Sequence, residues 1–161
     1  MQKTDIAYLA GLLDGEGCIR IASAYHTNVK KRVALLALLN TKKRNYWLQV
    51  LLGNSDVKVL KEIQKQWGGN LSLRSSFRRG KPFANITWNK QKAVELLKAL
   101  KPYLRIKALE CNVALEFTSF LNTPEHRGRR LTDEDLAIRE AFKQKLAALK
   151  TCNKPQTIAD M

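Results

Sequence analysis

Acidic residues are scarce in this chain: 14 Asp and Glu stand against 29 Lys and Arg, a formal net charge of +15 over 161 residues. That imbalance argues against a basic partner and for an acidic one, nucleic acid first and an anionic membrane surface second. Long apolar runs are missing too. The longest, Val33 to Leu39, falls far short of the roughly 20 residues that a membrane span requires. The start of the chain lacks the charged-then-apolar pattern of a signal peptide. The three cysteines (Cys18, Cys111, Cys152) are odd in number and widely spaced, which excludes a disulfide framework and a zinc spacing. They read as reduced packing thiols of an intracellular protein. With His26 and His126 the only histidines, neither a His-rich metal site nor a Ser-His-Asp centre is expected. No P-loop, Rossmann glycine pattern or zinc-protease motif occurs.

What is present is concentrated near the start. Asp5 to Asp14 reads as a helix in which 100° per residue gathers Ile6, Leu9, Leu12 and Leu13 on a bulky face. Ala7, Ala10, Gly11 and Asp14 fall together on a face with almost no side chains. An interior Gly11 costs about 1 kcal/mol relative to Ala. Close approach of a second helix along the small face would offset that cost. Asp14 and Glu16 then stand at the negative end of the helix dipole, in a turn eased by Gly15 and Gly17. Two acids in that place call for a cation. A polar Asp-Gly-Glu-Gly helix stop is the plainer reading.

Alternation predicts strands over Cys18–Tyr25, Asn45–Leu52, Asn70–Arg78 and Phe83–Trp88, the last two as a hairpin. A helix is predicted over Asp56–Trp67, with Val57, Leu60, Ile63 and Trp67 inward. Another, capped by Asn89, runs to Lys101, where Pro102 breaks it. A third spans Arg105–Leu121, with Leu109, Val113, Phe117 and Phe120 inward. A last one opens at Thr132 with Asp135 as capping-box partner and carries Ile138, Phe142, Leu146 and Leu149. The expected fold is α+β: an αββαββα core whose half-buried antiparallel sheet is backed by helices, plus C-terminal helices. Residues 1–152 form one expected domain and 153–161 a frayed tail.

The open side of such a sheet carries Arg20, Asn45, Gln49, Asn70, Ser72, Arg74, Ser76, Arg78, Asn85 and Thr87, the residue types that read bases and phosphates. Lys30, Lys31, Arg32, Lys42, Lys43 and Arg44 at the strand tips are expected to contact DNA phosphates.

Leu9-Ala10-Gly11-Leu12-Leu13-Asp14-Gly15-Glu16-Gly17 closely resembles the signature of the LAGLIDADG homing endonucleases, departing by Leu for Ile, Gly for Ala and Glu for the final Asp. The element order from Thr4 to Leu121 agrees with that family. The resemblance implies an intron-encoded, site-specific double-stranded DNA endonuclease that uses Mg²⁺ or another divalent cation. It makes Glu16 the metal ligand and gives Asp14 a supporting catalytic or metal role. Lys107, in Pro102-Tyr103-Leu104-Arg105-Ile106-Lys107, matches the family's lysine near the cleaved phosphate. The family's water-positioning residue falls by rough alignment on apolar Leu52, with Asn54 and Gln49 as nearby substitutes. Only one such motif occurs, so Ala7, Ala10 and Gly11 are the expected seam of a homodimer acting on a partly palindromic site. A non-cutting DNA binder, an RNA-binding maturase and a basic ribosome-associated protein are the alternatives.

Overall fold

The computed structural model describes residues 2–25, 44–74, 82–123 and 131–152. Helix α1 (Lys3–Glu16) leads directly into β1 (Gly17–Tyr25), which lies antiparallel to β2 (Arg44–Asn54). Helix α2 (Val57–Trp67), β3 (Asn70–Arg74), β4 (Phe83–Asn89) and α3 (Gln91–Leu100) follow. A 3₁₀ turn (Lys101–Tyr103) then leads to α4 (Ala108–Asn122) and α5 (Asp133–Cys152). The four strands form one antiparallel sheet in the order β1-β2-β4-β3. This is the expected αββαββα plan with a terminal helix.

The sheet's alternation does what the sequence pattern requires. Ile19, Ile21, Tyr46, Leu48, Val50, Leu52, Ala84, Ile86 and Trp88 are buried beneath the helices. Their neighbours Arg20, Asn45, Gln49, Asn85 and Thr87 take the other face. Helices close the core with Leu9 and Leu13 of α1, Leu60 and Ile63 of α2, Leu96 and Leu97 of α3, and Phe117 of α4. Fully burying a side chain of this size is worth about 1.5–3 kcal/mol. The Trp88 indole N–H also finds a partner, the Trp67 carbonyl at 3.0 Å. Helix α5 begins with the reciprocal box foreseen for it: Thr132 N donates to Asp135 Oδ2 at 3.0 Å, and Asp135 N to Thr132 Oγ1 at 3.2 Å. It packs on α4 through Phe142, whose ring lies 5.7 Å from that of Phe117.

Several expectations are corrected. Asn89 does not cap α3; it closes β4, and the cap is Lys90 at φ 51°. Leu109, 63% exposed, and Ile138, 41% exposed, leave the expected core, and Leu73, also 63% exposed, lies outside it as well. Leu73 lies on β3, an edge strand, and Leu109 points away from the sheet at the start of α4. Arg44, expected among the strand-tip phosphate contacts, is engaged within the chain. It shares the helix-facing parity of Tyr46, and its guanidinium pairs with Glu140 of α5 at 3.3 Å while lying 5.8 Å from the Tyr46 ring centroid.

Glu140 ties α5 to the sheet, accepting from Tyr46 Oη at 2.6 Å and pairing with Lys143 at 3.3 Å. The Tyr46 hydrogen bond, outweighing desolvation and assisted by Lys143 and Arg44, holds its carboxyl below the ordinary 4.5. A depressed acid contributes stability in full above its unfolded value and loses it as pH falls through the folded one. Melting followed on acidification below pH 4.5 should therefore decline more steeply for the parent than for Glu140→Gln, which is less stable at neutral pH. Equal slopes would show that this contact carries no acid sensitivity.

Candidate functional site

The geometry starts at the end of α1. The helix runs two residues beyond the expected Asp14 stop, so Gly15 and Glu16 are still helical and Gly17 makes the turn into β1. Gly17 is required by close approach: a Cβ there would lie 2.6 Å from the Leu13 carbonyl oxygen and 2.3 Å from Leu13 Cδ1. The chain thus turns sharply and leaves Glu16 exposed at the corner.

Glu16 is held from the far end of β2. Asn54 Nδ2 donates to Glu16 Oε2 at 2.8 Å, and Asn54 Oδ1 accepts from Asp56 N at 2.8 Å. Asp56 in turn caps α2, accepting from Lys58 N at 2.9 Å and Val59 N at 3.3 Å. A capped helix therefore fixes the amide that fixes the acid. Of the substitutes for the expected water-positioning residue, Asn54 reaches Glu16; Leu52 is buried in the core.

Asp14 is different from Glu16. It is 8% exposed, and its carboxylate is turned into the segment that precedes α4. Oδ2 accepts from Arg105 N at 2.7 Å and Ile106 N at 3.2 Å, and Oδ1 accepts from Lys107 N at 2.9 Å. Three consecutive backbone N–H groups of the turn that enters α4 converge on this anion, so Asp14 caps that turn from another element. Both Asp14 oxygens are engaged by these donors, which favours an anchoring role over the expected metal-ligand one. The Lys107 ammonium completes the clamp by donating to the Asp14 carbonyl, placing a cation at the negative end of α1. Asp14 thereby brings Lys107, 93 residues away in sequence, to the foot of the Glu16 corner.

The outward stripe of α1 is Thr4, Ala7, Tyr8, Gly11 and Gly15, all exposed, and Cβ atoms at Gly11 or Gly15 would meet nothing within 4 Å. Ala7 and Gly11 lie on it as expected. Ala10 does not: it is fully buried in the chain's own core, because α1 packs there against α3 and β2.

On the open sheet face, Arg20 Nε donates to Gln49 Oε1 at 2.6 Å and Gln49 Nε2 to Asn89 Oδ1 at 2.7 Å. Trp47 Nε1 donates to the same Asn89 oxygen at 3.3 Å. Arg20, Gln49 and Asn89 stand opposite one another on β1, β2 and β4. Asn89 is the one member of this row absent from the expected reading set, although it continues the Asn85–Thr87 alternation. Asn70 and Ser72 are exposed on β3, beside Thr87 and Asn85. Arg74 is described only by its place in β3. Lys30, Lys31, Arg32, Lys42, Lys43, Ser76 and Arg78 lie outside the described residues, as does the expected tail.

Comparison with solved structures identifies the fold. The chain superposes on the homing endonuclease I-CvuI in complex with its target with a TM-score of 0.65, at 21% identity over 96% of this chain and 87% of that one. It matches the archaeal intron-encoded homing endonuclease I-Vdi141I, complexed with DNA, with a TM-score of 0.67 at 13% identity, over 98% and 88%. The LAGLIDADG homing endonuclease I-GzeII, in complex with a DNA target, gives 0.61 at 15% identity, over 86% of this chain and 43% of that one. The fold is that of the LAGLIDADG homing endonucleases.

A curated relative, the probable intron-encoded endonuclease aI2 of Debaryomyces hansenii, is 33% identical over 75 residues, 47% of this chain. Those residues span only 8% of that protein's length. No family model matches the chain. No helix among the described residues is long and apolar enough to cross a membrane.

Proposed function

We propose that this chain is a homodimeric, site-specific endonuclease of double-stranded DNA, intron-encoded and dependent on a divalent cation such as Mg²⁺. The observation that carries the reading is Glu16: an exposed carboxylate at the end of a helix whose outward stripe includes Ala7 and Gly11, steadied by Asn54 and two residues from the carbonyl that clamps Lys107.

The donor set fits Mg²⁺ as a shared ion. No group of three or more His, Cys, Asp or Glu side chains able to hold a metal occurs among the described residues. A protomer offers one free hard-oxygen ligand at the corner. Mg²⁺ is commonly bound by one or two carboxylates with substrate phosphates and waters. Two Glu16 carboxylates meeting at a dimer axis supply that number. A bound divalent cation supplies the positive charge that stabilises the attacking and leaving oxygens of a phosphodiester.

The chain's own residues do the rest. Glu16 faces the scissile phosphate, and Asn54 fixes its orientation by occupying one oxygen. Lys107 lies at the same corner, where its ammonium stabilises charge that grows on the phosphoryl oxygens as water adds to phosphorus and the bond to the 3′ oxygen breaks. Arg20, Gln49 and Asn89 present a pre-ordered row of base-reading groups across the sheet. The sheets of two protomers extend in opposite directions, so the target is partly palindromic.

Divalent-metal-dependent cleavage of a large pool of duplex DNA, with sequencing of the ends, tests the reading. Discrete ends at one long, partly symmetric site are expected. Tight, salt-sensitive binding without cleavage would instead favour a non-cutting binder.

Gly11→Leu tests the dimer separately. Its side chain enters open space in the protomer and raises helix propensity by about 1 kcal/mol, so the protomer stays folded, and any fall in melting temperature reports the lost dimer. Along the α1 stripe it holds two helices apart. Sedimentation should show a folded monomer that no longer cuts both strands; a cutting dimer would refute this seam.

A further inference from the structure

A second polar cluster lies behind the Glu16 corner. Glu110 stands in the first turn of α4, 3% exposed, and its Oε2 has no hydrogen-bond partner among the described residues. It lines a cleft of about 400 Å³ together with Asp14, Cys18, Lys107 and Lys150. Lys107 stands three residues before it. Lys150 arrives from the far end of α5, and its Nζ lies 3.2 Å from Cys18 Sγ at the start of β1. The cleft therefore gathers the end of α1, the start of β1, the start of α4 and the end of α5.

An acid in the first turn of a helix is favourable to the helix dipole, but an exposed acid provides that equally well. Burying a carboxylate and leaving one oxygen unmade opposes folding. Two ammonium groups line the same cleft and offset part of that cost through their charge, with no ion pair to Glu110 among the described residues. The balance shows in the carboxyl itself: burial raises its pKa, Lys150 and Lys107 pull it down, and Asp14 pushes it up, with a net rise. Lys107 in turn donates to the Asp14 carbonyl while lining the same cleft as Glu110.

We propose that Glu110 is a positioning residue of the cleavage site: from within the cleft its carboxylate orients the ammonium groups of Lys107 and Lys150 toward the phosphate that Glu16 faces. Helix α5 thereby contributes a second phosphate-side cation, Lys150, to a site otherwise built from α1, β2 and the turn before α4. The proposal rests on the endonuclease reading, and one of its tests does not need a substrate.

Glu110→Gln keeps the volume and removes the charge. In the DNA-free protein, the acylation rates of individual lysines, read by mass spectrometry, should change by about threefold or more at Lys107 and Lys150 and stay constant at the remote Lys58 and Lys61. On the parent's own target, single-turnover cleavage should fall by about tenfold or more with a displaced pH profile, while DNA affinity stays within about threefold. Glu110→Asp should recover part of the rate. Unchanged lysine labelling, or a parent-like rate and pH profile, overturns the proposal. If Glu110→Gln does not fold, Lys150→Gln, at a half-exposed position, decides: about tenfold slower cleavage at an unchanged melting temperature supports it, and a parent-like rate overturns it. If the parent itself cuts no duplex, the endonuclease reading fails, while the labelling result still separates a coupled Glu110 from an inert one.

Discussion

A Glu16→Gln variant is expected to bind duplex DNA as tightly as the parent and to cut it on the order of 10³-fold more slowly. Glutamine has the same length and keeps an oxygen for the Asn54 amide, so the Asp56–Asn54 support stays in place. Glu16 is exposed, and surface substitutions of this kind change stability by less than about 0.5 kcal/mol. Removing a negative charge from a DNA-facing corner opposes nothing in binding and relieves some repulsion with phosphates. What disappears is the charged oxygen that the proposed reaction uses. Binding and single-turnover cleavage measured side by side in one divalent-metal buffer separate the two effects. Parent-like cutting by the variant would remove Glu16 from the chemistry. Loss of binding and cutting together would point to a structural role for the corner instead.

Much of this architecture is legible in the residues. The alternation of Tyr46, Leu48, Val50 and Leu52 against Asn45, Trp47 and Gln49 is enough to assign both faces of β2. Thr132 and Asp135 announce the start of α5. The exposed glycine of α1 follows from helical spacing alone. Ala10 shows where such reasoning stops: a helical wheel groups it with Ala7, Gly11 and Asp14 on the small face, and only the packing of α3 and β2 buries it. Composition draws Arg44 into a basic cluster, although its parity with Tyr46 puts it on the helix side. Asn54 has no local signal beyond its closeness to Leu52, because its role is a tertiary contact spanning 38 residues. Likewise, the family resemblance sets Asp14 among the acids of a metal site. A motif cannot show that three backbone donors from the 105–107 turn claim the carboxylate.

That distinction supports the second large effect. Asp14→Ala is expected to destabilise the protein by about 2–3 kcal/mol, since it removes three charge-assisted hydrogen bonds at a helix entry. The figure lies well below the sum for three such bonds because Arg105 and Ile106 are exposed, so water can satisfy their freed N–H groups. Relief of the buried carboxylate's desolvation offsets a further part. For a chain of this size the melting temperature should fall by roughly 5–10 °C, at about 2–4 °C per kcal/mol. Asp14→Asn should fare little better, because its amide turns a donor toward backbone donors. Cleavage should decline even well below the melting temperature, since Lys107 loses the clamp that sets its backbone beside α1. Thermal unfolding in a metal chelator decides between the two roles considered for this acid. A cap lowers the melting temperature with no metal present; a residue that only ligates metal leaves it where the parent melts.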